Sequence, residues 1–102
     1  MYIISVTFVV EPPVHSSWYS LATEKFLPRL EAESGRPVTF TRLLHDTPEA
    51  HYTYSVQCSC CDMTFYRRFV DELMADYVEV AVPMFGDKVL YFISLLKRID
   101  YK

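Results

Sequence analysis

The residues best suited to chemistry gather in two short stretches. Cys58, Cys60 and Cys61 sit close together, and His45, Asp46, Glu49 and His51 bracket a proline-containing loop. Thiolates and imidazoles are the usual zinc ligands, but zinc sites space their cysteines as Cys-x₂₋₄-Cys and add a second ligand pair elsewhere. Here a single residue separates Cys58 from Cys60, and no second pair is evident. Strand alternation puts Cys58 and Cys60 on one face, where a buried thiol behaves as a small hydrophobe. An odd, clustered set with adjacent Cys60 and Cys61 is not a disulfide framework either. The imidazoles of His45 and His51 with one carboxylate could hold a metal. The spacing fixes no third ligand, however, and a water-exposed loop mouth accounts for the same residues. No metal and no cofactor is expected.

Arg42 stands in an apolar row with Phe40 and Leu44. A guanidinium there must snorkel to the rim or meet an anion, either a carboxylate-bearing ligand or an acidic side chain. Arg42, His45 and His51 are therefore the candidate ligand-binding residues. No catalytic residue is assigned: Ser5, Thr7, Thr39, Thr41, Thr53 and Ser55 are the polar members of the strands, and none is paired by spacing with a base that would activate it. His15, following Pro13 and Val14, is expected to be exposed. Trp18 is expected in the core, where its indole N–H needs a partner.

The elements that position these residues can be read in order. Tyr2 to Val10 is rich in β-branched and aromatic residues and reads as a strand, stopped by Glu11-Pro12-Pro13. Val14, Trp18, Leu21, Ala22, Phe26 and Leu30 share one helical face, with Ser16 or Ser17 as cap; Pro28 is expected to kink this helix or start a new turn. Gly35 suits a left-handed helix end. Val38 to His45 and His51 to Cys60 form a hairpin. With His45 opposite His51, one register puts Thr39, Thr41, Thr53, Ser55 and Gln57 on one face and Val38, Phe40, Arg42, Tyr54, Val56 and Cys58 on the other. Asp62 caps a second helix, in which Phe65, Phe69, Leu73 and Tyr77 adjoin a row of Tyr66, Val70, Met74 and Val78. Arg67 with Asp71 and Arg68 with Glu72 are spaced to pair on the wet side. The helical signal fades between Val78 and Pro83. Gly86-Asp87 turns the chain into a last strand, Lys88 to Ile99.

The order β-α-β-β-α-β is the ferredoxin-like split β-α-β: an α+β fold with two helices on one face of a four-stranded antiparallel sheet, formed by a single domain over residues 1–102. The first and third strands are central. The last is an edge, yet it is apolar on both faces, with Val89, Tyr91, Ile93 and Leu95 on one and Leu90, Phe92 and Leu96 on the other. Ile3 and Val9 add to the second set. An open face that apolar calls for cover, and the economical cover is a second copy in a twofold homodimer. A monomer whose tail folds over its own sheet is the alternative.

Composition narrows the function. The chain has 102 residues, 51% of them hydrophobic, and a formal charge of −3. The acidic balance speaks against nucleic acid and anionic membranes as partners. Two glycines cannot build a phosphate-binding loop. There is no basic start with a cleavage site and no long apolar run, so a reducing cytoplasm is the expected location. Tyr52 and Tyr54 alternate as RNA-stacking aromatics do, but the basic, glycine-containing strand motif of RNA-recognition modules is missing. The turn after the first strand has neither the glycine of an amino-acid-sensing domain nor the cysteine pair of a heavy-metal chaperone.

Three segments carry a resemblance: Ile3-Ile-Ser-Val-Thr-Phe8, the stretch from Trp18 to Phe26-Leu-Pro28, and Phe85-Gly-Asp-Lys-Val-Leu90 with Leu95-Leu96. On these the chain resembles a bacterial family of short ferredoxin-like proteins classed as a domain of unknown function, within the dimeric α/β-barrel group. The resemblance implies a barrel-like dimer and brings no catalytic residues with it. The expected function is non-catalytic binding of a small molecule or a protein by a homodimer. The alternative is a cofactor-free monooxygenase- or isomerase-like enzyme with a pocket between sheet and helices.

Overall fold

The structure, a computed structural model, describes residues 1–44, 51–60 and 62–101. Its sheet has the order β2-β3-β1-β4, built from β1 (Tyr2–Val10), β2 (Val38–Arg42), β3 (Tyr52–Cys60) and β4 (Val89–Lys97). All neighbours are antiparallel, with β1 and β3 inside and β2 and β4 at the edges. The hairpin register is the one that sorts polar from apolar side chains: Val38 pairs with Cys58, Phe40 with Val56 and Arg42 with Tyr54. Strand β2 ends at Arg42, earlier than its apolar pattern suggests, although Leu43 N–H still donates to Thr53 at 2.9 Å. The expected pairing of His45 with His51 lies outside the described residues.

Two helical rods cover one face. The first runs from α1 (His15–Leu21) through a π-helical turn (Ala22–Phe26) into α2 (Leu27–Ser34). Pro28 neither breaks nor restarts this rod. A proline ring collides with the carbonyl four residues back, here that of Glu24, and Glu24 lies in the π turn, where the wider winding relieves that collision. The rod ends at Gly35, whose φ of 68° is the left-handed conformation expected of it. Neither Ser16 nor Ser17 caps its start; a 3-10 turn at Pro12–Val14 leads into the helix instead.

The second rod joins α3 (Met63–Arg68), a π turn (Phe69–Met74) and α4 (Ala75–Phe85). Asp62 caps it, accepting from the Phe65 N–H at 3.1 Å. The helix does not fade at Val78 but continues through Pro83 to Phe85. Val80, Val82 and Met84 on this last stretch are exposed, so the apolar periodicity that marks a helix is blurred there.

The core lies between sheet and rods. Phe8, on central β1, packs against Trp18, Phe26 and Tyr77 with ring centroids 5.2, 6.0 and 5.4 Å apart. Cys58 and Cys60 are buried on the same face, as strand alternation requires. The Trp18 indole N–H finds its partner in the Tyr77 hydroxyl at 3.0 Å. Outside, Arg29 is held by Glu33 and Asp76, and Arg68 by Glu33 and Glu72, so one chain of charges ties the two rods together. The Arg68–Glu72 pair is the one its spacing predicts, whereas Arg67 makes no ion pair among the described residues.

Candidate functional site

Two features of the surface stand out, one on each side of the sheet. On the helix side, the chain leaving β1 is turned back by Glu11-Pro12-Pro13. The Glu11 N–H donates to Lys88 at 3.0 Å and the Val14 N–H to Glu11 at 3.1 Å. This brings His15 down onto β3, beside the Val10–Tyr52 pair that ends the central ladder. The His15 ring stacks on Tyr52 with centroids 3.7 Å apart and planes at 13°. Its Nε2 lies 2.7 Å from the Tyr54 hydroxyl; with the ring proton on Nδ1, the hydroxyl donates. Arg42 places its guanidinium carbon 4.8 Å from the centre of the same Tyr52 ring. Tyr19 stands over the group, 6.1 Å from His15, from Tyr54 and from Phe40.

The electrostatics of this rim follow from burial and from Arg42. Burial first, and then the Arg42 charge, hold the His15 imidazole below the usual value of 6.5. Burial pushes the Tyr54 phenol up, against the pull of Arg42. At neutral pH the two are therefore a neutral imidazole and a neutral phenol sharing one hydrogen bond. Such a pair can bind a polar ligand or pass a proton.

Of the residues singled out from sequence, Arg42 belongs to this rim. It snorkels to water, being exposed, with its guanidinium carbon over the Tyr52 ring. His51 is exposed at the foot of β3, and no hydrogen bond, ion pair or ring contact joins it to Arg42. His45, Asp46, Glu49 and Cys61 lie outside the described residues. Among the described residues no group of three or more His, Cys, Asp or Glu side chains could hold a metal ion. His15 is a correction: it is half-buried and bonded, not exposed. The tandem prolines that stop β1 carry the signal, because they leave no room for a wandering loop before the helix.

On the other side the sheet is bare. Alternation directs Ile3, Ser5, Thr7 and Val9 of β1 outward, together with Leu90, Phe92, Ser94 and Leu96 of β4. Thr53, Ser55, Gln57 and Ser59 of β3 and Thr39 and Thr41 of β2 complete the face. Not one of these side chains is charged. Leu90, Phe92 and Leu96 are 50%, 59% and 43% exposed, and the tail beyond β4 does not cover them, since Ile99 and Tyr101 are themselves exposed.

An α+β sandwich of four antiparallel strands and two helical rods in this order is a ferredoxin-like fold. The chain belongs to the family described as "Domain of unknown function (DUF4286)", whose match covers residues 1–99. Among solved structures it is similar to an "ethyl tert-butyl ether d (ethd) family protein" from Bacillus halodurans C-125, at TM-score 0.67 and 11% identity over 97% of this chain and 100% of that one. It is also similar to a de novo designed protein, Foldit4, at TM-score 0.58 and 9% identity over 96% and 98% of the two chains. Both likenesses are of fold alone. No curated protein matches the chain. Among the described residues no helix is long and apolar enough to cross a membrane.

Proposed function

We propose that this protein is a homodimeric small-molecule-binding protein of the dimeric α/β-barrel type, with two copies packed open face to open face. The observation that carries this reading is the absence of charge from the open sheet face. A sheet face that stays in water normally carries Lys, Glu or Arg, and this chain has them in plenty elsewhere. Here a strip of Ile3, Val9, Leu90, Phe92 and Leu96 adjoins a half of serines, threonines and a glutamine. Three strands about 30 Å long and one of about 17 Å, spaced ~4.8 Å apart, project a face of roughly 500 Å², and the relief of its side chains brings the accessible area toward the ~800 Å² per partner of a standard interface. A twofold axis lays such a face on its own copy without opposing like charges. The rims at His15 and Arg42 lie on the helix side and stay open to ligand.

Sedimentation velocity at micromolar concentration tests the assembly. A dimer is expected, with twice the 12.0 kDa chain mass. A mass of one chain at all concentrations overturns the reading.

A second reading, a cofactor-free isomerase- or monooxygenase-like enzyme, draws on the 2.7 Å contact between His15 and Tyr54. A neutral imidazole so placed can take a proton from a bound carbon acid. Ligand binding without turnover is favoured because Nε2 is already engaged by the Tyr54 hydroxyl, and the two readings separate on whether a bound compound is chemically changed.

A further inference from the structure

The rim brings together a guanidinium and an imidazole on a shared tyrosine ring, in a chain of net charge −3. The way Arg42 is held differs from the way its relatives on the rods are held. Arg29 and Arg68 are each gripped by two carboxylates. Arg42 makes no ion pair with a described residue; it lies over the Tyr52 ring instead. Arg42 is exposed, so guanidinium N–H groups not turned to the ring face water, and a guanidinium can hold a carboxylate with two parallel hydrogen bonds. The Tyr52 ring is in turn backed by His15, and Tyr54 holds His15 in place. The guanidinium is thus pre-positioned, which lowers the ordering penalty of binding.

We infer that Arg42 is the anchor of a binding site for a small organic carboxylate, and that its occupancy is coupled to protonation of His15. This rests on the small-molecule-binding reading above and specifies the ligand class. The coupling follows from the groups facing His15, of which Arg42 from β2 is charged while the phenols of Tyr52 and Tyr54 from β3 and of Tyr19 from its own helix are not. Arg42 disfavours the imidazolium, and a carboxylate on Arg42 cancels that charge. Linkage then requires the reverse effect as well, so that a protonated His15 holds the carboxylate more tightly. A single-charged carboxylate suits the site better than phosphate, which recruits several donors. The rim offers one guanidinium, and the chain's glycine turns are elsewhere, at Gly35 and Gly86.

The test uses the full chain, with benzoate as probe and benzamide as its neutral isostere, followed by NMR of the His15 ring and the Arg42 side chain. Benzoate is expected to saturate, to raise the His15 titration midpoint, and to bind several-fold tighter near about pH 5.5 than near about pH 7.5. Arg42→Gln is expected to weaken benzoate at least tenfold and to abolish the His15 shift, and Arg42→Lys to recover only part of the affinity. Arg42 is exposed at a strand end, and an unchanged amide spectrum verifies that each variant folds. Equal binding of benzamide, undiminished binding by Arg42→Gln, or inorganic phosphate binding more tightly than benzoate overturns the carboxylate assignment while leaving a small-molecule site standing. Failure of all three probes to saturate at tens of millimolar overturns the inference. The dimer is judged separately, by its mass.

Discussion

The indole N–H of Trp18 donates to the hydroxyl of Tyr77 at 3.0 Å, joining the start of the first rod to the first turn of α4 in the second through the middle of the core. Both residues are buried. Tyr77→Phe keeps the ring contacts with Phe8 and Phe26 and removes only the acceptor. An indole N–H left without a partner costs about 1–3 kcal/mol. Urea unfolding of the variant is expected to show that loss; stability equal to the parent would mean that the bond contributes nothing net.

The same tyrosine sets an alkaline limit. Burial pushes the Tyr77 phenol up to about 12, with Trp18 pulling the other way and Tyr91 adding to the rise. A folded-state value above the unfolded one means that the folded state holds the proton more tightly. The associated stability is complete below about pH 10 and is lost between about 10 and about 12, to a total on the order of 3 kcal/mol. Denaturation midpoints across that range should fall in the parent chain and fall less in Tyr77→Phe.

His15 gives the opposite slope on the acid side. Its imidazole is held low, so protonation favours the unfolded chain. Its contribution is fully present above about pH 6.5 and is lost as pH falls through the lower folded-state value. NMR titration should place the His15 midpoint below 6.5; a midpoint above it would mean that a nearby negative charge outweighs both burial and Arg42.

The open face predicts a concentration-dependent unfolding midpoint. Phe92→Glu puts a charge at an exposed position, opposite Thr7 on β1. In an isolated protomer this change should cost little, within ~0.5 kcal/mol. In a dimer it buries two unpaired carboxylates and should shift the equilibrium to single chains by several kcal/mol. A dimeric Phe92→Glu variant would place the interface elsewhere.

Gly35 offers a clean backbone test. Its φ is 68°, and an added Cβ would meet nothing within 4 Å. The effect of Gly35→Ala is therefore purely conformational, a destabilisation of about 1–2 kcal/mol. Gly35→Asn, which tolerates the left-handed region better, should lose less.

The sheet was legible because its information is local. Alternation in Val38–Arg42 and Tyr52–Cys60 admits one sensible register, and the observed pairs Arg42–Tyr54 and Val38–Cys58 follow from it. Edge and centre follow from strand order alone. The π turns were not legible, since no residue type marks the extra residue that they accommodate. The rim was half legible. Arg42 betrayed itself as a charge in an apolar row, whereas His15 had only the tandem prolines before it as a sign, and the groups that bury it come from a strand some forty positions away. The end of the second rod was hidden for another reason: Val80, Val82 and Met84 are apolar on the wet side, and the face pattern dissolves.

The paired π turns place one residue of slack in each rod at matching heights, where Phe26 and Phe69 meet at 6.5 Å. Without it, everything downstream would be rotated by about 100° around the helix axis. Leu30 on one rod and Tyr77 on the other would then swing away from the interior they now fill. Deleting a single amino acid from either π turn should therefore be mild, since the turn can close into ordinary α-helix with both halves still aimed as they are, whereas the same deletion elsewhere in a rod re-aims one half against the other.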